Sequence, residues 1–276
     1  MAPPLHPKEA PIQDRMYELF REVFYLAERK RRWVIEDDIP WDKCRKSPVD
    51  PAIADVLETF CAVELYLPDY LSKGIAQARD SRATAWVMAN WGYEESKHSL
   101  AMEDWLLKSG MRTDEQLADL HAEVFSFEWN LPHDSACGMV CYAMFQELAT
   151  WLHYVNLRNL VKKNEDPALH RLLTLISVDE RAHHDFYRRL VQIHLDCDRE
   201  ATLEQIRRVI NTFQMPAVYM LANSTQRVAQ IKSLRIFDDD LYYFQVVEPA
   251  LAKLGLTRAD LRRKSRPSSA ILGQAS

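Results

Sequence analysis

Along most of the chain, apolar residues recur every three to four positions, and these stretches are separated by short segments rich in proline and mixed charge. That spacing belongs to a helix with one face turned to a core. The pattern predicts an amphipathic helix over residues 13–33 and an irregular connection over 34–49, which carries Pro40 and Pro48. Four long helices follow at 50–74, 81–109, 134–164 and 167–196, with a shorter one at 113–129. Pro68 falls inside the first of the four and predicts a kink, because proline removes a helical hydrogen bond. Pro167 suits the first turn of the fourth. A further helix is expected over 200–230, and helical periodicity runs from Phe237 to Lys264. No segment within 13–264 has the composition of a linker. Residues 13–264 are therefore expected to form one all-α domain, between a proline-rich flexible arm (1–12) and a polar, disordered tail (265–276).

Two of the long helices carry the same short motif, Glu95-Ser-Lys-His98 and Glu180-Arg-Ala-His183. Residues i and i+3 of a helix share a face, so each carboxylate and imidazole can reach one point. The other two long helices each place one glutamate in an apolar run: Glu64 in CAVELYLP and Glu147 in MFQELATW. Glu64 lies 31 residues before Glu95, and Glu147 lies 33 before Glu180. A helix of roughly 20–25 residues and a turn fill that length. Each half thus reads as an antiparallel helix pair, and two pairs make a four-helix bundle with carboxylates pointing inward. Four buried carboxylates without cations are very costly, so the pattern points to two metal ions. The order Glu, Glu-x-x-His, Glu, Glu-x-x-His is similar to that of ferritin-like di-iron carboxylate proteins. The register stays open at this level: Glu180 can also pair with His184 at i+4, and Glu94 can take the place of Glu95.

Composition narrows the function. A net charge of −5 argues against nucleic-acid binding. Only six glycines are present, and no glycine-rich phosphate loop or dinucleotide fingerprint occurs. The five cysteines (44, 61, 137, 141 and 197) form no C-x-x-C pair and are expected to be reduced, in a cytoplasmic protein. The first residues have no apolar core of a signal peptide, and no apolar run is long enough for membrane insertion.

The combined motifs resemble those of the soluble acyl-carrier-protein desaturases, the stearoyl-ACP desaturase family, in a bacterial-type form. WGYEESKHSLAMEDWLLKSG is similar to that family's W-x-x-EENRHG helix, and VDERAHHDFY to its DEKRHE helix. FQELAT resembles FQERAT, ELYLPDY resembles EEALPTY, and RRWVIEDDIPWD is similar to a WxPxDFLPD segment. The resemblance spans residues 13–264. His184 departs from it, standing where the family motif ends in Glu, and Leu148 and Tyr66 differ from the plant pattern.

The resemblance implies a ferritin-like bundle with additional N- and C-terminal helices. It implies two Fe ions (Fe2+/Fe3+) held by Glu64, Glu95, His98, Glu147, Glu180 and His183. Thr150 falls near the family's oxygen-binding face, and Trp33, Asp179 and His98 fall on its hydrogen-bonded route from surface to iron. The implied activity is O2-dependent insertion of a cis double bond into an acyl chain on acyl carrier protein. Ferredoxin or a similar donor supplies electrons, and the enzyme is a homodimer. The same chemistry is compatible with a hydroxylase of a carrier-bound or small substrate, and a ferroxidase is a third reading. Both protein partners are acidic, so Arg29-Lys30-Arg31-Arg32 and Arg188-Arg189 are candidate docking patches. Met88, Trp91, Met144, Phe145 and Trp151 are candidate walls of a channel for the chain.

Overall fold

The structure, a computed structural model, describes residues 10–45, 50–162 and 165–262. The expected tail at 265–276 and residues 1–9 of the expected arm lie outside these. The remainder of the arm is not loose: α1 (Ala10–Lys30) already includes Ala10, with Pro11 in its first turn. The connection after it holds the one-turn α2 (Ile35–Asp38) and a tight turn at Trp41–Lys43.

Pro68 has a sharper effect than a kink. It cannot donate to the Glu64 carbonyl, and its ring crowds that oxygen. Helix α3 (Pro51–Glu64) therefore stops at Glu64, and α4 (Leu67–Gln77) restarts with Pro68 in its first turn. The two long helices that carry the E-x-x-H motifs are α5 (Arg82–Lys108) and α8 (Pro167–Cys197). Between them lie α6 (Asp114–Phe125) and α7 (Ala136–Leu160). The expected helix over 200–230 is two helices, α9 (Arg199–Thr212) and α10 (Ser224–Ser233). Pro216 explains the break, because it lacks the N–H a continuing helix needs and disfavours helix at Met215. Ala217 and Asn223 adopt left-handed backbone in the turn. The last periodic stretch is shorter than expected: α11 (Asp239–Leu241) runs through a π-helical turn at Tyr242–Val247 into α12 (Glu248–Lys253).

The core of the fold is the bundle of α3, α5, α7 and α8. α7 packs along α8, α3 along α5, and α1 covers both α5 and α8. On α5 and α8 the E-x-x-H motifs fall between two apolar clusters. One holds Met102, Trp105, Leu172 and Ile176, and the other holds Val87, Phe186 and Leu190. Apolar packing above and below thus fixes the rotation of the helices and turns the motifs inward. Among the described residues there is no strand, and no helix is long and apolar enough to cross a membrane.

Asp166 ties two of the bundle helices together. One oxygen accepts from the Leu169 amide and caps α8, and the other accepts from Trp105 Nε1 of α5, each at 2.9 Å. Both Asp166 and Trp105 are buried. Asp166→Ala removes the cap and strands a buried indole N–H, so unfolding stability should fall by about 2–4 kcal/mol. Urea denaturation of the metal-free protein measures this; a loss under about 0.5 kcal/mol, the size of an ordinary surface change, would contradict the assignment.

Candidate metal centre

The six motif residues converge on one point in the bundle. Glu64 of α3, Glu95 and His98 of α5, and Glu180 of α8 bring ligand atoms within 4.8 Å of one another. Glu95, Glu147, Glu180 and His183 do the same on the other side. The two groups share Glu95 and Glu180, which places those carboxylates between the groups and leaves Glu64 and Glu147 at the ends. His98 Nδ1 lies 3.1 Å from Glu95 and 3.2 Å from Glu180. His183 Nδ1 lies 3.2 Å from Glu95 and 3.5 Å from Glu147. Both imidazoles therefore present the same nitrogen to the cluster.

The register left open by the sequence takes one form here. His184 points away: its Nδ1–H donates to the Met144 carbonyl at 2.8 Å, and burial pushes its pKa down to about 4. Glu94 is one residue round the helix from Glu95 and accepts a hydrogen bond from His183 Nε2–H at 2.6 Å. Asp179 has the matching place on the other side, accepting from His98 Nε2–H at 3.2 Å. A carboxylate on the outer nitrogen fixes the tautomer and leaves the inner nitrogen free to bind.

Trp33 Nε1–H donates to Asp179 at 2.7 Å, and its ring stacks parallel to His98, with centroids 6.4 Å apart. The expected series Trp33–Asp179–His98 is thus continuous in hydrogen bonds. Lys97 donates to the Trp33 carbonyl and sits over its ring.

The basic cluster at the end of α1 is only partly the docking patch expected of it. Arg29 and Lys30 are exposed, but the side chains of Arg31 and Arg32 are 12% and 22% exposed. Both turn inward onto Glu94, and Arg31 also meets Asp179 at 2.5 Å. The Arg188–Arg189 pair is likewise engaged, with Asp185 and Glu22.

The cluster is built as a receptor for cations. Among the described residues, Glu95 Oε1, Glu147 Oε2, both Glu180 oxygens and His183 Nδ1 are buried without a hydrogen-bond partner. Such orphans are uncommon in folded proteins, and five of the eleven among the described residues fall on these four side chains. Burial, with the charges of Glu95 and Glu180, pushes the Glu64 carboxyl well up, and burial does the same to Glu147. Burial alone would lower the two imidazoles, but the surrounding carboxylates hold both His98 and His183 well above the usual range. Burial would raise Glu95, yet the two imidazoliums bring it down to about 2. Four carboxylates and two imidazoles are a donor set suited to non-haem iron or manganese.

A cavity of about 410 Å³ lies against this cluster, within the usual range for ligand sites. Glu64, Glu147 and Thr150 line it on the metal side, and most other walls are apolar. Of the expected channel residues, Met88 and Trp91 line it, whereas Met144, Phe145 and Trp151 do not. Met144 and Phe145 are fully buried in the apolar core, and Trp151 lies under Arg181. The remaining wall comes from residues 213–219 and 228–242, which sequence periodicity alone does not bring to the site. The Thr150 hydroxyl donates to the Gln146 carbonyl at 3.0 Å. Two side chains hold the end carboxylates: Tyr154, which no motif marks, donates its O–H to Glu64 at 2.9 Å, and Trp91, the first residue of the WGYEESKH motif, donates Nε1–H to Glu147 at 3.1 Å.

Comparison with known structures defines the class first. DesA2 of Mycobacterium tuberculosis aligns over 89% of this chain and 95% of its own, with a TM-score of 0.70 at 16% identity. An R2-like ligand-binding oxidase with a Mn/Fe cofactor aligns over 93% and 95%, with a TM-score of 0.57 at 18% identity. The fold is therefore ferritin-like. The chain belongs to the fatty acid desaturase family, whose model matches residues 60–266, and it is an oxidoreductase of that family. Among its relatives, the acyl-[acyl-carrier-protein] desaturase DesA1 of M. tuberculosis is 26% identical over 80% of this chain and 70% of its own length. The chloroplast stearoyl-[acyl-carrier-protein] 9-desaturase 6 of Arabidopsis thaliana is 29% identical over 65% and 49%.

Two outcomes are expected for metal uptake. His183→Ala should lose bound iron, measured by elemental analysis, while His184→Ala keeps it; the reverse would shift the register by one residue. Because metal must displace protons held by Glu64, Glu147, His98 and His183, ferrous affinity should weaken as pH falls from about 8 to about 6. An anaerobic titration with pH-independent affinity would contradict that proton inventory.

Proposed function

We propose that this protein is a di-iron, O2-dependent desaturase that places a cis double bond in an acyl chain carried by acyl carrier protein. The observation that carries the reading is the cavity: apolar along most of its wall, it meets the carboxylate–imidazole cluster at Glu64, Glu147 and Thr150. An alkyl chain has no polar group for an enzyme to grip, so only burial along its length can hold one C–C bond in place. The named relatives act on acyl chains carried by acyl carrier protein, and the R2-like neighbour has a metal cofactor.

In this reading Glu64, Glu95, His98, Glu147, Glu180 and His183 hold two iron ions. When bound, these activate O2 to remove hydrogen from two adjacent CH2 groups. The residues of the chain do the rest. Tyr154 and Trp91 hold the end carboxylates in place from the cavity side. Asp179 and Glu94 keep Nδ1 of each imidazole turned inward. Tyr70, Trp91 and Tyr187 help wall the chain and keep bulk water out. Thr150 places a hydroxyl at the boundary between chain and cluster, where a proton can be handed inward. Trp33 and Asp179 offer the path for electrons to His98. The balance requires two external electrons and two protons: CH2–CH2 and O2 become CH=CH and two waters. Ferredoxin or a similar protein is the donor. The homodimer and the cytoplasmic setting are part of the same proposal.

The test is anaerobic reconstitution with ferrous iron, followed by reduced ferredoxin, O2 and a panel of acyl-carrier-protein thioesters. Mass spectrometry should show loss of two hydrogens from one of the chains. Gain of one oxygen would make the protein a hydroxylase. Iron oxidation with every chain unchanged would favour the ferroxidase reading.

A further inference from the structure

Asp179 and Glu94 sit on different helices and serve different imidazoles, yet one side chain joins them. Arg31 Nη1 donates to Asp179 Oδ1 at 2.5 Å and to Glu94 Oε2 at 3.0 Å. Its Nη2 donates to both Glu94 oxygens, at 2.9 and 3.0 Å. Each carboxylate has a second donor of its own, Trp33 on Asp179 and Arg32 on Glu94. Among the described residues Arg31 is the donor common to both. From the reading that the cluster holds two metal ions, we infer that Arg31 is a positioning residue that sets both metal positions at once.

Both charge and shape suit Arg31 to this role. Asp179 and Glu94 are 1% and 0% exposed; without Arg31, Asp179 would keep no arginine partner and Glu94 would keep Arg32 alone, so both buried anions would be under-compensated. An anion so placed either takes a proton or pulls its imidazole out of line, and either change frees the inner nitrogen to turn. A guanidinium is a rigid planar fork that can bridge two carboxylates in fixed directions, whereas an ammonium is a compact point charge. Arg31 follows the last residue of α1, where its amide donates to the Ala27 carbonyl at 2.9 Å and a cation complements the helix end. The docking of α1 on α5 and α8 is thereby linked to the direction of both Nδ1 lone pairs. A carboxylate serving one imidazole affects one metal; Arg31 affects two.

That difference is the test. The full-length protein is loaded anaerobically with ferrous 57Fe. Mössbauer spectra resolve the two sites, and chelator competition gives the affinity of each. Glu94→Gln should alter the site of His183 and Asp179→Asn the site of His98, each weakening one iron by about 10–100-fold. Arg31→Gln should alter both sites and weaken both irons. Arg31→Lys should fail to restore them, and should carry the test if Arg31→Gln does not fold. Adding Arg31→Gln to the Glu94→Gln/Asp179→Asn double variant should change little more, because the two charges it bridges are already removed. Unchanged spectra and affinities in Arg31→Gln, a change at one site only, or a wild-type-like Arg31→Lys would overturn the assignment while leaving the two-metal reading intact. A wild-type protein that takes up no iron would instead overturn that reading, and the assignment with it.

Discussion

The rest of the structure depends on the burial of like charge. Glu64, Glu94, Glu95, Glu147, Asp179 and Glu180 are all nine-tenths or more buried in one bundle. Water is excluded, so their charge must be met inside. Arg31 and Arg32 answer Glu94 and Asp179 on the outer side. The inner four are left facing two imidazoles and one another, and in the proposed reading two divalent cations balance them. Burial raises the Glu64 and Glu147 carboxyls, and the surrounding carboxylates raise both imidazoles.

The same constraint explains the arrangement of the helices. Two apolar clusters on either side of the charged layer hold α5 and α8 in rotation. α1 closes the layer from outside and brings the arginines. α7 divides its faces. Glu147 and Thr150 meet the cavity, while Met144 and Phe145 are fully buried in the core and do not. A carboxylate–imidazole cluster able to bind metal and a largely apolar cavity thus share a wall one helix turn long, which is how a residue type as polar as glutamate comes to border that cavity.

Much of this was legible in the chain itself, because helical spacing is local. The Glu-x-x-His pairs, the two upstream glutamates and the limits of α5 and α8 follow from periods of three and four. What failed to show was set by partners far away in sequence. His183 and His184 differ by one step of helix rotation, and the choice depends on packing against α5 and α7. Arg31 and Arg32 looked like a solvated basic patch because Glu94 lies more than sixty residues away. Pro216 was readable as a helix break, but the periodicity on both sides concealed it. The part of the cavity wall from residues 213–242 depends on where that break returns the chain.

The central claim is that the buried carboxylates are arranged around two metal positions with Glu95 and Glu180 between them. Crystals of the protein grown anaerobically with ferrous iron, measured on both sides of the iron absorption edge, address it directly. The account predicts two anomalous peaks, one bonded to His98 Nδ1 and one to His183 Nδ1, with Glu95 and Glu180 reaching toward both. A single peak, none, or iron bound through His184 or Glu94 would contradict it.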